Sequence, residues 1–195
     1  MPLPRFHRLE TQEQLRILDV ARRHFAAHGR DGASLNAIIA EAGISKTSAY
    51  HYFDGKDDVF GAVVEVVVER LAATLGPWTL VTSPQEFWQQ FTDSSQRLST
   101  HLAQEPADRA VLAEVARGGH ADALDPWWDA ALDSARDLGL ISTELDRSLV
   151  ADASRAVLAA VDAWSLERPA VSATDASMAL RSLLSAIWRA PNDPA

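Results

Sequence analysis

The chain has 195 residues, no cysteine, 47% hydrophobic residues and a formal net charge of −9. That length and composition allow one or two globular domains with a sizeable core, and the lack of cysteine excludes disulfides, cysteine-ligated zinc and iron–sulfur clusters. The charge is unevenly spread: residues 1–56 carry eight Lys/Arg against six Asp/Glu, and the remainder carries ten against twenty-one, a mildly basic head on an acidic body.

Apolar residues recur at three- and four-residue spacing nearly throughout, so the chain reads as all-α. The opening Met-Pro-Leu-Pro-Arg-Phe-His-Arg lacks the apolar run of a signal peptide; it reads as a loose charged arm, with contact of Arg5 and Arg8 to a phosphate or the minor groove of bound nucleic acid as the alternative. A first helix opens at Thr11, where Thr11 and Gln14 have capping-box spacing. It buries Ile17, Leu18, Ala21 and Phe25 and stops at Gly29. Ser34 caps a second helix ending at Ala42-Gly43, and Ser45 caps a short third one. After Asp54-Gly55 a fourth helix runs from Lys56 to Leu75, closed by Gly76-Pro77.

Beyond it, Ser83-Pro84 opens a fifth helix that ends near Glu105-Pro106, and a short sixth breaks at Gly118-Gly119. Further helices span about 122–138, 147–167 and 174–188, and the tail 191–195 is expected to be disordered. No apolar run reaches the ~18 residues of a membrane span; the valine-rich stretch Val59–Val68 is short and broken by Glu65. A cytoplasmic protein is expected. There is no internal repeat and no low-complexity segment.

The most informative stretch is residues 34–56. Gly43 allows the positive φ of a tight interhelical turn, and Ile38, Ile44 and Phe53 are spaced to close a small core with the first helix. That leaves Lys46, Thr47, Ser48, Tyr50, His51 and Tyr52 on or near the solvent side of a very short helix. A short helix, a tight turn and a second helix rich in polar and aromatic groups suit a reader of the DNA major groove. The chain's two lysines, Lys46 and Lys56, both lie here. A solvated helical hairpin with incidental aromatics is the plain alternative.

These residues resemble the N-terminal domain of the TetR family of transcriptional regulators. The resemblance rests on Phe25 to Gly29, on Ser34 with Ala42-Gly43, and on Ile44 through Lys56, in order and without a gap. It implies an N-terminal helix-turn-helix domain, residues 1–55, and a helical ligand-binding and dimerisation domain, residues 56–190. It also implies that Lys46, Thr47, Ser48 and His51 face base edges, while Tyr50, Tyr52 and Lys56 hold phosphates. Lys56 and Ser34 add the attraction of helix N-termini for anions, and Ser45 joins the DNA-binding set. Three positions depart from the family pattern: Ile39 for Ala, Thr47 for Gly and Ala49 for Leu, which leaves the operator sequence open.

The resemblance further implies a homodimer paired through the last two long helices, a palindromic operator and release by a small-molecule effector. Two stripes suit the pairing: Val150, Ala153, Val157, Ala160, Val161 and Trp164, and Ala176, Ala179, Leu180, Leu183 and Ile187. A fifth-helix stripe of Phe87, Phe91, Ser94 and His101, with Trp88, Trp127, Trp128 and Trp164, is the candidate effector pocket. Core packing is the competing reading for each of these residues. His101 and His120 lack metal-ligand spacing, so no metal and no cofactor is expected. No catalytic motif stands out, and Asp122, Asp125, Asp129 and Asp133 read as a solvated face. The expected function is a ligand-released repressor; the alternative is a helical small-molecule-binding protein without DNA binding.

Overall fold

A computed structural model describes residues 1–118, 124–168 and 170–188. Among these residues all regular structure is helical: a three-residue 3-10 turn, Phe6–Arg8, then α1 (Thr11–Gly32), α2 (Leu35–Glu41), α3 (Lys46–Tyr52), α4 (Lys56–Leu75), α5 (Pro84–Gln104), α6 (Pro106–Gly118), α7 (Asp125–Asp137), α8 (Arg147–Leu166) and α9 (Ala173–Trp188). No helix among them is long and apolar enough to cross a membrane. The tail 191–195, together with Gly119, His120 and Asp122, lies outside the described residues.

Packing produces two compact units that chain order alone does not show. The first is Met1–Arg70 with Leu102–Gly118; the second is Leu71–His101 with the described part of 119–195. Helix α6, late in the chain, therefore packs with the N-terminal helices, and its main partner is α1.

The first unit is built on the apolar stripe of α1. Ile17, Leu18, Val20, Ala21 and Phe25 are buried, as are Ile38 and Ile39 of α2, Ala49 of α3, and Val59, Phe60, Val63 and Val67 of α4. Phe25 meets Phe60 edge-on at 5.1 Å, a geometry favoured by the ring quadrupoles. Near its end α1 is kinked at Gly29, whose φ is 70°. A side chain there would be strained, and its Cβ would stand 3.1 Å from an oxygen of Glu114 on α6.

Two expectations about the N-terminus are corrected. The capping box at Thr11 does not form: Glu10 occupies the N-cap without a side-chain bond, Thr11 is already helical, and Gln14 donates to the Leu9 carbonyl at 2.8 Å. Nor is the preceding segment loose. Phe6 is buried and packs on Phe53 with ring centroids 4.8 Å apart, so the chain enters α1 from a fixed turn.

Asp108 of α6 is fully buried and receives Arg22 of α1 at 2.5 Å and Arg70 of α4 at 3.5 Å. Arg22 also pairs with Asp19 at 2.8 Å and Glu105 at 3.1 Å. Burial disfavours the Arg22 charge, but hydrogen bonds to Asp19, Asp108 and Glu105 outweigh it and hold the guanidinium above its ordinary pKa. Three helices of this unit thus meet at one buried carboxylate.

The second unit has an aromatic core. Phe87, Trp88 and Phe91 of α5, Trp128 of α7 and Trp188 of α9 are buried together, with Trp78 and Trp127 half-buried against them. Trp188 donates to Ser154 Oγ at 2.9 Å, and Ser154 in turn donates to the Val150 carbonyl at 2.7 Å. Ser94, a candidate pocket residue on α5, accepts from Arg97 at 2.9 Å; Arg97 also caps the end of α4 through the Leu75 carbonyl at 2.7 Å. The last two stripes divide. Val150, Val161 and Leu180 enter the unit's own core, whereas Trp164 and Leu183 stand 36% and 47% exposed.

Candidate nucleic-acid interface

Residues 34–56 fold as their sequence leads one to expect. Ser34 Oγ accepts from the Ala37 amide at 3.4 Å, and Ser45 Oγ from the Ser48 amide at 3.0 Å, so both serines cap helices and relieve unpaired N–H groups. Between the helices Gly43 has a φ of 65°, with nothing within 4 Å of where a Cβ would sit. Glycine is needed there for backbone shape and not for space. The carbonyl of Ala42, exposed by the end of α2, accepts from Arg16 Nη1 at 2.6 Å, while the rest of that guanidinium forks onto Glu13. Arg16 thus ties α1 to the turn, a link across 26 residues with no local sequence signature.

On α3, Ala49 is buried, and the neighbouring Phe53 closes the core. Lys46, Thr47, Tyr50 and His51 are exposed. Their positions, two adjacent pairs four residues apart, put all four on one helix face. Tyr50 keeps 62% of its surface in water, an unusual place for a large ring.

The remaining candidates are placed differently. Ser48 is half-buried and its hydroxyl is shared with that of Ser45 at 2.9 Å. Tyr52 is half-buried and meets Phe6 edge-on at 6.2 Å. Lys56 opens α4 but donates to the Asp31 carbonyl at 2.7 Å, tying α4 to the last turn of α1. Ile39, one of the three positions that depart from the family pattern, is buried and its carbonyl accepts from the Ile44 amide at 3.3 Å.

Beside this face, Glu41 at the end of α2 is held below the usual carboxylate range by hydrogen bonds from Arg23 and His24. The distances are 3.0 Å and 2.8 Å.

A family model described as bacterial regulatory proteins, tetR family, matches residues 17–63, the stretch that holds this turn and its exposed face. This N-terminal stretch is thus similar to the TetR family of regulators. Among curated relatives, an HTH-type transcriptional repressor of Mycobacterium tuberculosis, Rv1474c, is 40% identical over 57 residues, 29% of this chain and 30% of the relative. The repressor AcnR of Corynebacterium glutamicum is 32% identical over 71 residues, 36% of this chain and 38% of the relative. The match thus spans only about a third of each curated relative.

Solved structures extend the likeness of fold over nearly the whole chain. SmeT, the repressor of the Stenotrophomonas maltophilia multidrug efflux pump SmeDEF, superposes with a TM-score of 0.64 at 22% identity, covering 93% of this chain and 91% of that one. A tetR family transcription regulator from Shewanella sp. PV-4 gives 0.66 at 18% identity, covering 91% and 98%.

The expected effector residues are placed as follows. Phe87, Phe91, Ser94 and Trp128 are buried in the second unit's core. His101 is half-buried on α5. Trp164 is exposed on α8 and is not part of the aromatic cluster. Trp127 lines an open concavity of about 480 Å³ with Ala72, Ala73, Gly76, Pro77 and Trp78. Trp78 had no distinguishing pattern in the sequence, yet its indole is fixed by Ser134 at 2.8 Å. The indole N–H groups of Trp127 and Trp128 are buried with no partner among the described residues, which is costly for a donor. Among the described residues no group of three His, Asp or Glu is gathered to hold a metal ion.

Proposed function

We propose that this protein is a TetR-family transcriptional repressor that reads double-stranded DNA with α3, binds a palindromic operator as a homodimer and is released by a small molecule. The observation that carries the reading is the exposed face of Lys46, Thr47, Tyr50 and His51 on a helix whose other side is locked into the core by Ala49 and Phe53. Lysine and hydroxyl groups reach purine acceptors in the major groove, while the Tyr50 hydroxyl suits a phosphate oxygen. Lys56, with one N–H spent on Asp31, keeps two for phosphate.

Dimerisation is supported by the apolar side chains that α8 and α9 leave in water, Leu149, Trp164, Met178 and Leu183. Such groups together favour a partner surface. A two-fold dimer imposes a two-fold operator. The effector would enter the concavity beside Trp127 and Trp78, whose mostly apolar lining of Ala72, Ala73, Pro77, Trp78 and Trp127 favours a largely apolar compound.

The test is selection of bound duplexes from a random pool, followed by gel-shift titration. Lys46→Ala is expected to reduce discrimination between selected and random DNA about tenfold or more, the value of one good base contact. Enrichment of no sequence by the wild type, or a Lys46→Ala protein with undiminished discrimination, would refute the assignment.

A further inference from the structure

Lysines and arginines on a DNA-reading head differ in whether a carboxylate already neutralises them. In the first 56 residues, Arg16 is paired with Glu13, Arg22 with Asp19, Glu105 and Asp108, Arg23 with Asp19 and Glu41, and Arg30 with Asp57. Lys56 is bonded to a backbone carbonyl. Among the described residues of this segment, Arg5, Arg8, Lys46 and Lys56 make no ion pair, and of these Lys56 alone is held by a backbone carbonyl. A paired arginine has to give up its partner to bind phosphate, whereas an unpaired one only loses water and counter-ions.

Arg5 and Arg8 are also held in place. The Leu3 amide donates to the carbonyl of Tyr52, the last residue of α3, at 2.8 Å. Phe6 is seated against Phe53 and Tyr52, and Pro2 is buried. The Arg8 amide donates to the Arg5 carbonyl at 3.3 Å, closing a 3-10 turn. Such a turn has about three residues per revolution, so residues three apart lie one above the other. Arg5 and Arg8 therefore share one face of the turn while Phe6 points inward, and both are exposed.

From this we infer that residues 2–8 form a pre-ordered basic strap docked on the C-terminal end of α3, whose Arg5 and Arg8 contact phosphates beside the bases that α3 reads. The inference rests on the DNA-reading function proposed above, and adds a second contact surface to it. Because the strap is folded before DNA arrives, little ordering entropy is spent on binding. Phosphate contacts carry no sequence information, so the strap adds affinity and register equally on any duplex.

The experiment measures the dissociation constant of the full chain against salt concentration, on selected and on random duplexes, for the wild type, the double variant Arg5→Gln/Arg8→Gln, and Arg147→Gln as a control. Arg147 is exposed, is paired with Asp133 and lies in the second unit, so its loss changes net charge without touching the strap. Each phosphate contact contributes about 0.9 to the slope of log affinity against log salt. Losing two is expected to flatten the slope by about 1.8 per protomer, so that the affinity lost between 50 and 200 mM salt shrinks by about tenfold per protomer. Both duplexes should respond equally, and Arg147→Gln should keep the wild-type slope.

An unchanged slope in the double variant, an equal flattening in Arg147→Gln, or a loss confined to the selected duplex would each overturn the phosphate assignment while leaving the α3 reading intact. A wild type that binds no duplex at all would overturn the DNA reading itself. Unchanged far-UV circular dichroism of the double variant excludes a folding defect as the cause.

Discussion

The buried carboxylate of Asp108 offers the sharpest test of what holds the first unit together. Removing one member of a buried ion pair typically costs about 3–5 kcal/mol, because the charge left behind is desolvated and unpaired. In Asp108→Ala the orphan is Arg22, only 12% exposed, but Asp19 at 2.8 Å and Glu105 at 3.1 Å remain beside it. Those partners bring the expected cost to the low end, about 2–3 kcal/mol. The lost Arg70 contact, at 3.5 Å and partly solvated, adds under about 1 kcal/mol. The total is about 3 kcal/mol, or roughly 6–12 °C in Tm for a chain of this size.

Urea unfolding followed by far-UV circular dichroism measures this loss. The six tryptophans, Trp78, Trp88, Trp127, Trp128, Trp164 and Trp188, all belong to the second unit, so their fluorescence should shift less if the units melt separately. The double variant Arg22→Met/Asp108→Leu removes both charges and should recover to within about 1 kcal/mol of the wild type, about 2 kcal/mol more stable than Asp108→Ala. An Asp108→Ala protein within about 0.5 kcal/mol of the wild type would refute the argument. So would a double variant no more stable than the single one.

Further outcomes follow from the turn, the aromatic core and the helix caps. Gly43→Ala should destabilise by about 1–2 kcal/mol through its positive φ alone, since the space around it is open; chemical denaturation of this variant measures it. Trp188→Phe should cost about 1 kcal/mol more than Trp128→Phe, because the Trp188 N–H donates to Ser154 while that of Trp128 has no partner among the described residues; equal losses in urea titrations would contradict this. Asp146 caps α8 and is held below its ordinary pKa of 3.8 by the Ser148 hydroxyl and the Leu149 and Ser148 amides. A lowered folded-state pKa stabilises above the unfolded value and is lost as pH falls through the folded one. Melting curves of Asp146→Asn between neutral pH and about pH 3 should therefore decline less steeply than those of the wild type.

How much of the molecule could be read in advance depended on the range of the interactions involved. The helices were legible because their signals are local: serine at positions 34 and 45, glycine at 29, 43 and 76, and apolar residues at helical spacing. The exposed face of α3 was legible for the same reason, since Ala49 and Phe53 mark the inner side and Lys46, Thr47, Tyr50 and His51 the outer one. The capping box at Thr11 misled because a local pattern was overridden by tertiary seating, in which Phe6 docks on Phe53 and fixes the entry into α1. The stripes of α8 and α9 were identified as apolar, but periodicity does not say what covers them. Val150, Val161 and Leu180 turned inward, while Trp164 and Leu183 did not.

By itself, then, the order of residues determined an all-helical chain, the turn at Gly43 and the exposed face of α3 that follows it, because each depends on neighbours within a few positions. Only the tertiary structure decided that α6 packs with the N-terminal helices, that Asp108 gathers Arg22 and Arg70, and that Arg16 holds the turn's carbonyl. It also decided which arginines of the head are already neutralised and which, Arg5 and Arg8, are not. Charge pairing between residues tens of positions apart leaves no periodic trace in a sequence; it exists only once folding has brought the partners within a few ångströms.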